Sequence, residues 1–238
     1  MRGACGAVCR DGLVVNDEDC DIIQNMNGTP ETTALLQALF VIAIIAEAMT
    51  AALAAGKREM DWVGVCLLGC VTALGGGSMR DVLLGHYPLS WVAHPSYLLL
   101  TGGAALFTIA VARYMHRLRN IFLFLDAVGL VVFTVIGCNI ALSLGLPTIV
   151  VIASGMITGC VGGVLRDVLC NSIPLLFRAE LYATVSIITG LLYVGGLSLD
   201  LGHDVVMATA MAFGLTLRLL ALRYGWSMPK FVYGGNIH

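Results

Sequence analysis

The stretch Gly75-Gly76-Gly77-Ser78-Met79-Arg80-Asp81-Val82-Leu83 decides the fold, because it returns as Val161-Gly162-Gly163-Val164-Leu165-Arg166-Asp167-Val168-Leu169. Pro88-Leu89 likewise returns as Pro174-Leu175. Over residues 75–89 against 161–175, eight of fifteen positions are identical, at a constant offset of 86. The same offset brings Leu39 to Leu125, Ala55 to Ala141, Gly69 to Gly155 and Thr72 to Thr158, so the duplicated unit is far longer than the motif. An internal repeat of this length is an architectural unit.

The medium around those units follows from composition. The 238 residues are 58% hydrophobic and 12% charged, with a mean hydropathy of +0.90. Globular chains carry about 25% charged residues, so the polar coat of a water-soluble surface is missing and lipid is the expected solvent. Thirteen Lys and Arg against fifteen acids leave no basic footprint for a nucleic acid. Five cysteines (Cys66, Cys70, Cys138, Cys160, Cys170) sit in apolar runs, where a thiol is a small hydrophobe. Cys5, Cys9 and Cys20 lie in the tail without metal-ligand spacing. No metal or cofactor is expected. With neither a phosphate-binding loop nor a nucleophile beside a base, no enzyme chemistry is expected either.

A helix needs about 20 apolar residues to cross the hydrocarbon layer, and only an internally hydrogen-bonded backbone survives there. Seven stretches qualify: Leu35 to Ala55, Trp62 to Leu84, Tyr97 to Tyr114, Ile121 to Leu144, Pro147 to Cys170, Glu180 to Leu199 and Val205 to Leu222. The expected fold is thus an all-α integral membrane protein with seven transmembrane helices. The expected organisation is a flexible acidic tail at 1–32, a first three-helix repeat at 33–118, a second at 119–201, a seventh helix at 202–226 and a C-terminal tail at 227–238. Three spans per unit is an odd number, so the second copy enters the membrane inverted. Inverted repeats carry their sites near mid-depth on interrupted helices. Gly75, Gly76 and Gly77 in the second span, and Gly162 and Gly163 in the fifth, are the matching candidates for helix breaks lining a polar path. The bland alternative is that these glycines let helices pack closely.

Orientation follows from the short joins. Those after spans one, three and five, with the C-terminal tail, hold eight Lys and Arg, whereas those after spans two, four and six hold none. The bias puts the N-terminus outside and the C-terminus in the cytoplasm.

Ionised side chains in lipid cost about 2.5–3.5 kcal/mol each on insertion scales, so the ones present require a reason. They are Glu47, Arg80, Asp81, Asp126, Arg166 and Asp167, with Arg218 near a span end. Neighbours on a helix point about 100° apart, so each Arg of an Arg-Asp pair is expected to seek its partner elsewhere. By depth, Arg166 falls with Asp126 or Glu47 in a cytoplasmic-side network, and Arg80 with Asp81 in the outer half. These groups, with Thr72, Ser78 and Thr158 beside the glycines, are the candidate pore-lining or gating residues. The competing reading of the charges is a set of fixed ion pairs.

With these motifs assembled, the chain resembles the prokaryotic members of the trimeric intracellular cation channel family. Ala46-Glu47-Ala48-Met49, Leu125-Asp126-Ala127-Val128-Gly129-Leu130 and Arg218-Leu219-Leu220-Ala221-Leu222-Arg223-Tyr224-Gly225-Trp226 also look like that family, and the likeness covers about residues 35–229. It implies a homotrimer in the bacterial inner membrane. Each protomer would conduct monovalent cations, K+ foremost, through its own pore beside kinked second and fifth helices, with Gly75, Gly76, Gly77, Gly162 and Gly163 at the kinks. Val161 stands where the first copy has Gly75, so unequal kinks are implied. Leu74 stands where the animal members carry a lysine, so their regulation is not carried over. The same duplicated domain is also classed among bacterial glycine transporters, which makes a secondary transporter of a small amino acid the alternative.

Overall fold

A computed structural model describes residues 30–112, 118–177, 181–199 and 202–226. The tail cysteines and nearly all of the acidic leader lie outside these residues, as do His116, Arg178, Glu180 and the last twelve positions. The described residues form α1 (Pro30–Gly56), α2 (Trp62–Leu84), a four-residue helix α3 (Ser90–Ala93), α4 (Ser96–Ala112), α5 (Leu118–Ser143), α6 (Thr148–Leu169), a 3-10 turn (Leu175–Phe177), α7 (Tyr182–Leu197) and α8 (His203–Tyr224). Five of these, α1, α2, α5, α6 and α8, are long and apolar enough to cross a bilayer. The third and sixth expected spans are shorter, at 17 and 16 residues, below the roughly 20 that an upright crossing needs.

The duplication is written into the helix bounds. Subtracting the offset of 86 from the ends of α5, α6 and α7 returns those of α1, α2 and α4 to within two residues. Local chemistry sets several of the ends. The Asp61 carboxylate caps α2 by accepting from the Gly64 amide at 2.7 Å, and Gly85 closes the same helix in the left-handed region at φ 67°, where glycine has no Cβ penalty. α6 starts directly after Pro147, whose fixed φ suits a helix entry.

Contacts fix the direction of each helix. Arg58, just past α1, donates to the carbonyl of Asn171 and to the Ser172 hydroxyl, both at 2.9 Å, just past α6. α2 begins at this end and α6 finishes there, so the two motif-bearing helices run antiparallel. This is the Lys57 end. At the other end, the Tyr193 hydroxyl donates to Asn139 Oδ1 at 3.0 Å and meets His203 Nε2 at 2.9 Å. Those bonds tie α5, α7 and α8 together, so Asn139 is a structural tie here.

The breaks expected at the glycines are not there: α2 is helical throughout Trp62–Leu84 and α6 throughout Thr148–Leu169. What the glycines do is admit another backbone. A Cβ on Gly76 would collide with the Thr158 carbonyl oxygen, and one on Gly162 would lie 2.5 Å from the Thr72 carbonyl oxygen. Gly76 and Gly162 are repeat mates, and so are Thr72 and Thr158. The contact is therefore reciprocal, as a two-fold axis between two copies requires. Glycine costs about 1 kcal/mol in a helix interior relative to alanine, and close backbone packing offsets it, because helices in lipid associate through small residues. The bland reading holds for these two positions. A second small-residue seam joins α6 to α5, where Gly155 faces the Thr134 carbonyl and Gly159 the Leu130 carbonyl.

The crossing predicts a sharp contrast. Gly76→Val drives methyl groups into a backbone carbonyl that has no rotamer to escape by, so a loss of about 1–3 kcal/mol, the usual range for overpacking, is expected. Gly103→Ala on α4, where a Cβ meets nothing within 4 Å, should lose nothing. Thermal unfolding of both variants in detergent micelles checks this.

Candidate functional site

Each motif builds one arginine-centred site with a glycine one turn before the arginine. Gly77 and Gly163 lie one turn before Arg80 and Arg166. A Cβ at Gly77 would sit 3.7 Å from Arg80 Nη2, and one at Gly163 3.5 Å from Arg166 Nη2 and 3.1 Å from the Tyr182 hydroxyl. At Gly163 a side chain would press on the Tyr182 hydroxyl, while at both positions the guanidinium folds back to ordinary contact distance from the Cβ position. Adjacent Arg and Asp do meet, against the expectation from the 100° step. Arg80 Nε and Nη2 both donate to Asp81 Oδ1, at 2.9 and 2.7 Å, and Arg166 Nε donates to Asp167 Oδ1 at 2.9 Å. An arginine stem is long enough to wrap around the helix, and a buried guanidinium is costly without an ionic partner.

The two sites differ in everything else. Arg166, fully buried, donates from Nη1 to Asp126 Oδ1 at 2.8 Å and to the Thr50 hydroxyl at 3.0 Å, while Glu47 Oε2 lies 3.8 Å away. The Phe122 ring covers its guanidinium at 4.6 Å, a cation–π distance. Tyr182 links this cluster to α8, its hydroxyl reaching Asp126 Oδ1 at 3.4 Å and its ring lying 4.7 Å under the Arg218 guanidinium. Three carboxylates therefore gather on one arginine. Around Arg80 the repeat mates of Asp126 and Glu47 are Phe40 and Phe133, and both line the pocket beside its guanidinium. That site has Asp81 for its charge, with His86 Nδ1 3.2 Å from the same oxygen.

Each cluster borders a cavity at its own end. A cleft of about 210 Å³ at the Lys57 end is lined by Lys57, Arg58, Phe122, Asp167, Cys170 and Ser172, with Ala54 and Leu175. A far smaller one of about 10 Å³ lies toward the opposite end among Phe40, Ser78, Arg80, Ser90, Trp91, Phe133 and Thr158, room for about one water molecule. Trp91 donates to the Ser78 hydroxyl at 3.2 Å across it. Between the cavities lies the α2–α6 crossing. Thr158 spends its hydroxyl proton on the Ser154 carbonyl at 2.7 Å, and the buried Thr72 hydroxyl has no hydrogen-bond partner among the described residues.

The candidates thus fall into three groups. Glu47, Asp126, Arg166 and Asp167 form one cluster with Gly163; Arg80 and Asp81 form the other with Gly77 and Ser78; Thr72, Thr158, Gly76 and Gly162 form the crossing between them. Gly75 stands apart, with a Cβ position 2.5 Å from a Leu165 methyl group. Thr50, Phe122 and Tyr182 escaped the sequence reading. Thr50 had one available signal, its place one turn after Glu47 on the same helix face. Phe122 and Tyr182 had none, since an aromatic at a span end reads as an interfacial anchor.

Removing the arginine of the acid-rich cluster leaves buried carboxylates without a cation, which typically costs about 3–5 kcal/mol. Arg166→Met should therefore lower the unfolding midpoint severely, and Asp126→Asn added to it should restore part of the loss. A double-mutant cycle in micelles measures the coupling; additivity of the two losses would contradict the pairing.

A family model described as "Glycine transporter" matches residues 37–113 and again 123–198. The inner membrane protein YadS of Escherichia coli strain K12 is 38% identical over 191 residues, covering 79% of this chain and 92% of that protein. Among solved structures, the trimeric intracellular cation channel orthologue from Rhodobacter sphaeroides is 34% identical with a TM-score of 0.78, covering 80% of this chain and 98% of that one. A trimeric intracellular cation channel from C. elegans with bound Ca2+ superposes at a TM-score of 0.56 with 14% identity, a likeness of fold alone. Two matches of one domain model in a single chain, with a channel orthologue aligned over nearly its whole length, make the chain an integral membrane protein of the glycine transporter domain family, to which the prokaryotic trimeric intracellular cation channels are kin.

Proposed function

We propose that the chain is a membrane channel for monovalent cations, K+ foremost, with a path inside each protomer of a homotrimer. All seven helices of 16 residues or more cross the bacterial inner membrane in this reading, the shorter α4 and α7 being completed by their flanking turns. The Lys57 end faces the cytoplasm, in accord with the excess of Lys and Arg in its joins. The units are those of the repeat: 33–118, its inverted copy 119–201, the helix at 202–226, and tails at 1–32 and 227–238.

One observation carries the proposal: a cleft of about 210 Å³ borders the Arg166 cluster at one end, a water-sized cavity borders Arg80 toward the other, and the Gly76–Gly162 crossing of α2 and α6 lies between them. Charged residues buried in a lipid-spanning bundle mark an ion path by default, and here they sit on either side of that crossing. Arg80 with Asp81 guards one approach. Arg166, clasped by Asp126 and Asp167, guards the other beside the cytoplasmic cleft. The surplus of carboxylate around Arg166 favours cations. Conduction then requires the crossing to part by a small sliding of α2 on α6 and the arginine latches to swing aside. Small residues at both contact points make that sliding sterically cheap. The 34% identity to a cation channel orthologue supports the same reading.

A second reading, a secondary transporter of glycine or a similar small amino acid, is favoured by the description of the matching family model. A single crossing flanked by two cavities also suits alternating access. Purified protein in liposomes separates the two. A channel is expected to give K+ current at rates far above carrier turnover, with labelled glycine uptake at background, and a trimeric mass by light scattering; saturable glycine uptake without current would overturn the channel.

A further inference from the structure

We infer that Glu47 is a protonated carboxylic acid in the closed protein and is the site through which proton concentration at the cytoplasmic face controls the Arg166 latch. The protonation follows from hydrogen-bond accounting. Arg166 already has two carboxylate partners at 2.8 and 2.9 Å, and its nearest nitrogen stands 3.8 Å from Glu47 Oε2, beyond hydrogen-bond reach. The close polar neighbour of that oxygen is the Thr50 hydroxyl, at 3.2 Å. A hydroxyl carries one proton and two lone pairs. The Thr50 proton goes to the Glu47 backbone carbonyl, the shorter contact at 2.8 Å, and one lone pair accepts from Arg166 Nη1 at 3.0 Å. A bond between Thr50 and Glu47 Oε2 therefore needs its proton from Glu47.

The other carboxyl oxygen points the same way. Glu47 is 1% exposed, and its Oε1 presses against Gly129, where a Cβ would overlap it, with no donor among the described residues. An ionised oxygen held so would forfeit its hydration for nothing. No group of residues that could hold a metal ion is found among the described residues, and a proton needs none. The groups facing Glu47 are Asp126 of α5, Arg166, Asp167 and Cys160 of α6, and Tyr182 of α7, with Arg218 of α8 behind the Tyr182 ring. Arg80 and Asp81 of α2 belong to the opposite cluster. Nor is a third acid demanded by the repeat, since Phe133 occupies the matching place beside Arg80.

Release is balanced as follows. Arg166 lets go of Asp126, the Glu47 O–H bond breaks, its proton passes to water entering from the cleft beside Asp167, and the new carboxylate pairs with the freed guanidinium. Lowering proton concentration on the cytoplasmic side therefore favours the unlatched state. The coupling to flux rests on the channel reading; the protonation does not.

The experiment has two arms on the full-length protein. In infrared spectra at neutral pH, the carbonyl band of a protonated carboxylic acid should be present, shift when the protein carries carbon-13-labelled glutamate, and vanish in Glu47→Gln. Absence of the band, or its persistence in that variant, overturns the assignment. If the variant does not fold, the labelled wild type still assigns the band to a glutamate, and Glu47 is the buried glutamate among the described residues. In liposomes, K+ flux should rise with cytoplasmic-side pH by at most about tenfold per unit, the limit for one proton, and be flat in Glu47→Gln. A pH-independent wild-type flux overturns the coupling. The infrared band without any K+ flux would support the proton site while overturning the channel.

Discussion

Two α-helices meet backbone to backbone at a pair of glycines, and the rest of the molecule is arranged around that contact. In lipid there is no hydrophobic force to press helices together, so association depends on how closely their atoms approach. Gly76 under the Thr158 carbonyl and Gly162 under the Thr72 carbonyl give α2 and α6 that approach twice, on either side of one axis. Because the contact is reciprocal, neither half of the chain can shift without disturbing the other. The point that binds the repeats also lies between the two cavities.

The two arginine sites show how a duplicated unit acquires a direction. Both copies keep the glycine one turn before the arginine, the arginine, and the aspartate beside it. Other positions have diverged, among them Asp126 and Glu47 around Arg166 against Phe40 and Phe133 around Arg80. Arg80 is a buried arginine with a single carboxylate and aromatic walls. One ringed by three carboxylates and a threonine has more acid than its charge can satisfy, and that surplus gives the Lys57 end a chemistry the opposite end lacks. The two ends therefore differ in their side chains on helices whose bounds the repeat shares.

Much of the scaffold was legible beforehand because it rests on periodicity and solvent. The offset of 86 predicted the helix pairs, and their bounds agree to within two residues; the apolar runs coincide with five helices long enough to cross a bilayer and two shorter ones among the described residues. The charges are legible as a set, since each ion in lipid must have a reason, and depth alone groups Arg166 with Asp126 or Glu47. The glycines were read less well. A glycine cluster in a lipid-spanning helix serves equally to interrupt the ladder or to admit a neighbour, and the sequence of one helix does not say which neighbour stands there. The Arg-Asp pairs were misjudged for a related reason: the angular step between Cα–Cβ bonds ignores the reach of a long side chain when burial leaves it no other partner.

The sequence by itself determined the lipid environment, the duplication, the inversion of the second copy and the list of buried ions, all of which follow from counting residues along one dimension. Only the tertiary structure decided that Gly76 and Gly162 are contact points within continuous helices, that Phe122 and Tyr182 enclose the acid-rich cluster, and that Glu47 bonds Thr50 while Arg166 is held by others. Those outcomes depend on which atoms come within about 3 Å of one another. That competition among neighbours has no counterpart in the order of residues on the chain.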